Sequence, residues 1–192
     1  MIDSAIALIT NQLNQYLRRS FDLNEDIVAV SNILEQDGTV PPHVDNKLVV
    51  FLVNIERDEF SHRRPPNGSA VGANRSVVSY APVYLNFYLM FAGSFGGTNY
   101  MESLKFISNT ISFYQRRPVF DHENAPDLDT RIEKLVMDIQ NLTITDLGNL
   151  WGILGGKYLP SVLYKVRMVA FDSGDVMTQV PTITDTQQLV TG

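Results

Sequence analysis

The residues with the clearest catalytic spacing are at positions 92–96, Ala-Gly-Ser-Phe-Gly, which is close to the Gly-x-Ser-x-Gly elbow of serine hydrolases. In that elbow, a tight turn between a strand and a helix exposes the nucleophilic serine. Ser94 follows an apolar stretch and precedes a predicted helix, and His122 with Asp127 or Asp129 would complete a triad. Against this interpretation, Ala replaces the first Gly, and the strand–helix alternation of the hydrolase fold is missing. The sequence favours a glycine-rich connection, and we predict that the chain is not an enzyme.

Metal and phosphate sites are not indicated either. The three histidines lie in predicted loops, outside the H-x-x-x-H and H-E-x-x-H patterns of zinc sites. The acidic loop at 118–130 could surround a calcium ion, but its register differs from that of an EF-hand. Glycine-rich phosphate-binding motifs are absent from the sequence. We predict no metal and no cofactor.

A small basic group is a candidate for partner binding. Arg63, Arg64 and Arg75 lie in residues 62–76, a stretch that is rich in Gly, Pro and Asn and has no apolar period. Such a composition predicts an exposed loop. These arginines could dock on an acidic partner surface or simply keep the loop soluble, and the residues leave both interpretations open.

Length and composition indicate one globular domain. The chain has 192 residues, of which 44% are apolar and 19% are charged, so a substantial hydrophobic core can form. The net charge of −6 disfavours nucleic acid as the main partner, since phosphate binding needs a basic surface. Cysteines are absent, and neither a signal peptide nor an apolar run long enough to cross a membrane is evident. We expect a protein that is soluble or joins a soluble assembly.

A helix and a strand within residues 145–171 are predicted to organise the core. Thr145 and Asp146 are typical of a helix start, and Gly155-Gly156 is typical of a helix end. One face of this helix is apolar and consists of Leu147, Leu150, Trp151 and Leu154. From Pro160 onward, alternate residues are apolar as far as Ala170, which predicts a strand.

Two longer amphipathic helices are predicted, one at residues 3–19 and one from Asn99 to Arg117. Asn99 and Glu102 resemble a helix-capping pair, and Pro118 ends the second helix. The predicted apolar seam of the second helix consists of Tyr100, Leu104, Ile107, Ile111 and Tyr114.

Strands are predicted at 27–34, 47–56 and 131–142, and the second of these has the apolar run of a central strand. Residues 82–92 are so apolar that the pattern leaves both a strand and a buried helix open. The stretch at 118–130 is predicted to be a loop. From Ser173 onward, the chain is polar and rich in Thr, which predicts an arm with no face to bury.

Several motifs together resemble the tail-terminator, or cap, proteins of contractile injection systems, which are phage-tail-like particles. The first is Leu150-Trp151 with the Gly-rich stop and the Tyr-Leu-Pro-Ser-Val-Leu-Tyr-Lys-Val-Arg run that follows at 158–167. Other matching segments occur in the same order, at 82–92, 99–100, 111–115, 117–120, 124–126 and 133–135. The resemblance covers roughly residues 3–172, and its specificity lies in the ordered series.

This resemblance implies an α+β fold with a mixed, mainly antiparallel sheet packed by two or three helices. It implies a domain at 1–172 followed by a polar carboxy-terminal arm at 173–192. The chain would form a hexameric ring on the end of the inner tube and contractile sheath, and would end their polymerisation. Its partners would be its own copies, the tube protein and the sheath protein, with no nucleic acid and no membrane. Assembly would take place in the bacterial cytoplasm, before the chain becomes part of the particle.

In that setting, the loop at 61–78 and the arm become candidate assembly contacts. The residues concerned are Arg63, Arg64, Arg75, Thr182, Ile183 and Thr184. The arm could add a strand to the open sheet edge of a neighbour. Relatives with longer carboxy-terminal extensions suggest that functions located there are absent from this chain. The alternatives are another tail adaptor, at the head-to-tail junction or the baseplate, and a small serine hydrolase that uses Ser94.

Overall fold

The structure is a computed structural model that describes residues 1–35, 37–58, 75–79, 83–155, 158–170 and 176–181. Its helices are α1 (Ile2–Phe21), α2 (Tyr100–Arg116) and α3 (Ile144–Ile153). Its strands are β1 (Val28–Val30), β2 (Lys47–Arg57), β3 (Arg75–Ser79), β4 (Val83–Ser94), β5 (Val119–Asp121), β6 (Ile132–Ile139), β7 (Ser161–Ala170) and β8 (Val176–Pro181).

Six strands form one sheet in the order β1-β2-β4-β7-β6-β5, and β3 pairs with β8 in a second, two-stranded sheet. Only the β1–β2 pair is parallel among the described pairs, and the others are antiparallel. The predicted α+β class with a mixed, mainly antiparallel sheet and three helices is therefore confirmed.

The open question at 82–92 is resolved as a strand, because β4 spans this segment between β2 and β7. Phe87, Leu89 and Phe91 point to one face of the sheet, whereas Met90 and Ala92 point to the other. Both sets are buried, so a central strand of this kind shows no alternation between apolar and polar residues.

The core has two parts, one on each face of the sheet. Helices α1 and α2 cover the larger part, which includes Leu13, Phe91 and Tyr164. Helix α3 covers the smaller part, in which Trp151 packs near Leu163. Residues 145–171 therefore contribute to both parts through β7, but the larger core lies beneath α1 and α2 and not around the tryptophan.

The predicted seam of α2 is displaced from the face that the sheet buries. Tyr100 and Leu104 are 51% and 37% exposed, whereas Ser103 and Phe106 are buried. The cause is a close approach between α2 and β4, where the Ser103 hydroxyl donates a 3.3 Å hydrogen bond to the carbonyl of Gly93. Only small groups fit at this crossing, so Ser103 takes the innermost position and the seam residues Tyr100 and Leu104 turn toward solvent, whereas Tyr114 at the other end of the seam is buried.

Two predicted caps are wrong. Helix α3 begins one residue earlier than expected, and its cap is Thr143, whose side chain accepts a hydrogen bond from the Asp146 backbone N–H at 3.1 Å. The Asn99 side chain makes no capping bond to α2, because it donates instead to the side-chain oxygen of Asn46 at 3.3 Å.

Three segments predicted to lack regular structure contain strands, and the first is the loop predicted at 61–78, where residues 75–78 belong to β3. Residues 119–121 form β5, which pairs with β6 within the stretch assigned to a loop. Residues 176–181, in the predicted arm, form β8. Pairing with β3 satisfies backbone groups without requiring an apolar face. Conversely, β1 is shorter than the predicted strand at 27–34.

Candidate assembly surfaces

The residues of the possible hydrolase triad are far apart. Ser94 ends β4, whereas His122 follows β5 at the far edge of the sheet. The register across β5, β6, β7 and β4 aligns Asp121 with Tyr84, at the opposite end of β4 from Ser94. At about 3.3 Å per residue, the length of β4 alone separates the two levels by roughly 30 Å. His122 instead places its Nε2 atom 2.9 Å from the Ile132 carbonyl oxygen.

The immediate surroundings of Ser94 also lack a base. Ser94 borders a small cavity of about 60 Å³, and every other lining residue is apolar. Asp129 is occupied elsewhere, since it accepts hydrogen bonds from the Arg131 guanidinium at 2.7 and 3.0 Å and from the Ser4 hydroxyl at 2.9 Å. The bonds from Arg131 hold the pKa of this carboxyl well below its usual value. Ser94 therefore has no triad among the residues that the structure describes.

The predicted contact residues are only partly described. Arg63, Arg64, Thr182, Ile183 and Thr184 lie outside the described residues. Arg75 begins β3 and is paired with Pro181, which directly precedes Thr182 in the chain. The β3–β8 pairing thus places Arg75, near the end of the basic stretch at 62–76, beside Pro181, which precedes the predicted contact residues at 182–184.

A basic cleft of about 300 Å³ lies between the carboxy-terminal ends of α1 and α2. It is lined by Gln12, Gln15, Tyr16, Arg19, Phe113, Arg116 and Arg117. Arg116 donates a 2.7 Å hydrogen bond to the Tyr16 hydroxyl and lies 5.2 Å from the centre of the Tyr16 ring. Tyr16 stacks on Phe113 with the ring centres 5.0 Å apart. The stacked rings of Tyr16 and Phe113 therefore hold the Arg116 guanidinium in place.

The three arginines of this cleft have no carboxylate partner among the described residues, whereas Arg18 pairs with Asp26 at 3.4 Å. The helix ends attract positive charge, which accounts for part of the clustering. Three guanidinium groups without a described carboxylate partner nevertheless form a local concentration of positive charge in a chain of net charge −6. The sequence showed arginine pairs at both helix ends, but their proximity depends on the packing of α1 against α2.

A second exposed region surrounds α3 and is here named the α3 surface. Ile144 and Ile153 are 90% and 84% exposed, and Tyr158 beside them is 59% exposed. Gly148 and Gly152 face open space, with no heavy atom within 4 Å of the position that a Cβ atom would take. The residues that border an open apolar cleft of about 420 Å³, with Trp151 at its base, include Ile144, Gly148, Gly152 and Tyr158, and these four form the α3 surface. Ile153 does not line the cleft, because with 3.6 residues per turn it projects from another side of the helix.

A third exposed region lies at the amino-terminal turn of α2, on the opposite face of the sheet, and is here named the α2 surface. It consists of Tyr100, Met101 and Leu104, and Met101 is 70% exposed. Glu102 and Lys105, which flank it, pair with each other at 3.2 Å.

The β2 strand offers an edge for pairing. β1 covers only Leu48–Val50, and beyond them the stretch from Leu52 to Arg57 has β4 on one side and no described strand on the other. Among the described residues, no helix is long and apolar enough to cross a membrane, and no group of three or more His, Asp or Glu is placed to hold a metal ion.

Comparison with known proteins identifies the family. The family model for the Pvc16 N-terminal domain matches residues 5–185, so this chain belongs to that family. The resemblance to tail terminators of contractile injection systems is thereby confirmed. Comparison with curated protein sequences gives no match.

Two solved structures share the fold. One is the PVC sheath/tube terminator of an extracellular contractile injection system in the extended state, at 18% identity and a TM-score of 0.53. The other is the anti-feeding prophage cap, a tube terminating cap, at 18% identity and a TM-score of 0.54. The matches cover 96% and 94% of this chain but only 63% and 60% of those chains. The chain therefore spans less than two thirds of the length of either structure.

Proposed function

We propose that this chain is the cap of a contractile injection particle and ends polymerisation of its inner tube and sheath. Membership of the Pvc16 N-terminal domain family over residues 5–185 is the observation that carries the proposal. The fold shared with a sheath/tube terminator and a tube terminating cap supports it. The chain acts as a structural protein, without catalysis.

A ring explains how a cap stops growth. Copies that bind head to tail and close on themselves leave no free end for addition. The number of six follows from the resemblance to the family. One side of the ring covers the last layer of tube and sheath, and the other side does not present a surface for the next layer. We place assembly in the bacterial cytoplasm, with no role for nucleic acid or membrane.

The basic cleft is the described surface best suited to an acidic area of tube or sheath. Arg19, Arg116 and Arg117 are unpaired among the described residues and converge on one cleft. Guanidinium groups bind carboxylates with two parallel hydrogen bonds, and they are frequent among the residues that dominate interface energies. The basic loop with Arg63 and Arg64 would extend the same kind of contact.

The terminal segment supplies a second kind of contact by strand addition. A neighbour's extended segment that includes Thr182, Ile183 and Thr184 would pair with the edge of β2 beyond β1, where backbone hydrogen bonds provide affinity. Deletion of residues 182–192 keeps β8 and should weaken assembly, whereas deletion of 174–192 also removes β8 and should abolish it. If assembly and capping were unchanged after both deletions, strand addition would be excluded.

The proposal is tested by the length of the particles. Cells that lack this chain should produce tubes and sheaths of variable length, and the intact chain should restore one length. The double variant Arg116→Glu and Arg117→Glu should restore it poorly, whereas Lys134→Glu, an exposed reversal on β6, should restore it fully. Unchanged lengths without the chain would contradict termination, and its location at the baseplate or head junction would instead indicate an adaptor.

A further inference from the structure

We propose that the α3 surface of one copy binds the α2 surface of the next copy, and that this contact is the repeating interface of the ring. The inference rests on the proposed function, because a cap must form a closed assembly. It assigns residues to an interface that the shared fold alone does not define.

The α3 surface has the properties expected of one side of a protein–protein interface. Trp151 of α3 faces the core, whereas Ile144 in the first turn of the helix is 90% exposed at the edge of the cleft. Two helical glycines, Gly148 and Gly152, lie on the open side. Glycine destabilises a helix by about 1 kcal/mol relative to alanine, so two in a ten-residue helix are costly in isolation. They leave a shallow cleft into which side chains of another chain can enter.

The α2 surface has the complementary shape and chemistry. Tyr100, Met101 and Leu104 project from the first turn of α2, and they are excluded from the core by the close contact of Ser103 with β4. Met101 is flexible and adapts to irregular clefts. The neighbouring charges of Glu102 and Lys105 are already paired, so burial of the apolar side chains beside them leaves no unpaired charge.

The positions of the two surfaces favour contact between different faces of successive copies. α2 lies on one face of the six-stranded sheet and α3 lies on the other. A surface that bound to itself would give a two-fold dimer, whereas two different surfaces on opposite sides produce a head-to-tail series that can close into a ring.

The exposed area is of the right size for the centre of an interface. With about 200 Å² for a fully exposed large side chain, the five large side chains of the two surfaces expose on the order of 600 Å², over a third of the ~1,600 Å² that a standard interface buries. Polar residues around both surfaces would supply the rest. Such an arrangement of apolar centre and polar rim is typical of stable contacts.

Charge substitutions test each half separately in the purified chain. Ile144→Glu and Met101→Glu should each convert rings into monomers, as measured by native mass spectrometry, whereas Val40→Glu, at an exposed valine outside both surfaces, should leave rings intact. A mixture of the first two variants retains one intact α2 surface and one intact α3 surface, so it should form dimers and nothing larger. Rings that persist with Met101→Glu, or larger species in the mixture, would overturn the proposal.

Cross-linking tests the contact inside assembled particles. The chain has no cysteine, so the double variant Met101→Cys and Ile144→Cys should give a series of covalent multimers with a short bismaleimide, while each single variant should not. Absence of multimers from the double variant in intact particles would also overturn the proposal. If the cross-linked rings form but do not set particle length, the interface stands and the proposed capping function fails.

Discussion

Replacement of Gly93 by alanine tests how closely α2 approaches the sheet. Gly93 lies in β4 directly beneath Ser103, which is fully buried in the first turns of α2. A Cβ atom on residue 93 would overlap the Ser103 hydroxyl oxygen and lie 3.0 Å from its Cβ and 3.3 Å from its Cα. Rotation of the Ser103 side chain relieves only the first of these contacts, so the backbone of α2 must move.

The expected loss of stability follows from this overlap. Insertion of an extra methyl group into a well-packed core destabilises by about 1–3 kcal/mol. For a chain of this size, each kcal/mol lowers the melting temperature by about 2–4 °C, so Gly93→Ala should melt roughly 2–12 °C below the unchanged protein. Ser103→Ala in the same chain should recover part of this loss, because it removes the overlapping oxygen but not the Cβ contact.

Thermal unfolding of matched variants provides the assay. Gly96→Ala is the control, because Gly96 has a φ of −89° and no neighbour within 4 Å of its Cβ position. That variant should be unchanged or slightly more stable, by up to about 1 kcal/mol. If Gly93→Ala and Gly96→Ala melted at the same temperature, α2 would not be held against β4 at Ser103, and the reason given for the exposed α2 surface would be refuted.

Three further predictions concern caps and buried tyrosines. Thr143→Ala should destabilise by about 1 kcal/mol through loss of the α3 cap, whereas Thr145→Ala should leave the stability unchanged. Equal midpoints of urea unfolding for these two variants would contradict the cap at Thr143. Tyr114→Phe should destabilise by about 1 kcal/mol, because the Tyr114 hydroxyl donates a hydrogen bond to the Ile9 carbonyl at 3.2 Å. The Tyr164 hydroxyl has no described partner, so Tyr164→Phe should change the stability little. Burial raises the pKa of Tyr164 to about 12, above the ordinary value near 10. Stability should therefore be complete below pH 10 and fall between pH 10 and 12, and a smaller fall in Tyr164→Phe would identify the group.

The elements that could be predicted from the sequence are those whose apolar residues recur with the spacing of a helix or a strand. Helix α1 buries one face and strand β7 buries mainly one, with Leu163 as the buried residue on its other face, so their apolar residues recur at 3.6 or 2 positions. Strand β4 could not be assigned, because both of its faces are buried and its period is therefore hidden. Strand β8 could not be predicted either, because its partner β3 lies about a hundred positions earlier in the chain, and a sequence pattern does not show long-range pairing.

The candidate surfaces could be predicted only in part. Arg116 and Arg117 were recognised as charges at a helix end, but their convergence with Arg19 depends on the packing of α1 against α2. The apolar seam that begins at Tyr100 was recognised as a helix face. A sequence does not distinguish an apolar face that meets the core from one that meets another chain, so its exposure emerged only from the structure.

The most direct test of the central claim is cryo-electron microscopy of particles purified with this chain. The account predicts a closed ring of this chain at the end opposite the baseplate, in contact with the last layer of tube and sheath. Within that ring, Met101 of one copy should lie against α3 of the next. Density for the chain at the baseplate, or particles of normal length that lack the chain altogether, would contradict the claim that it terminates tube and sheath.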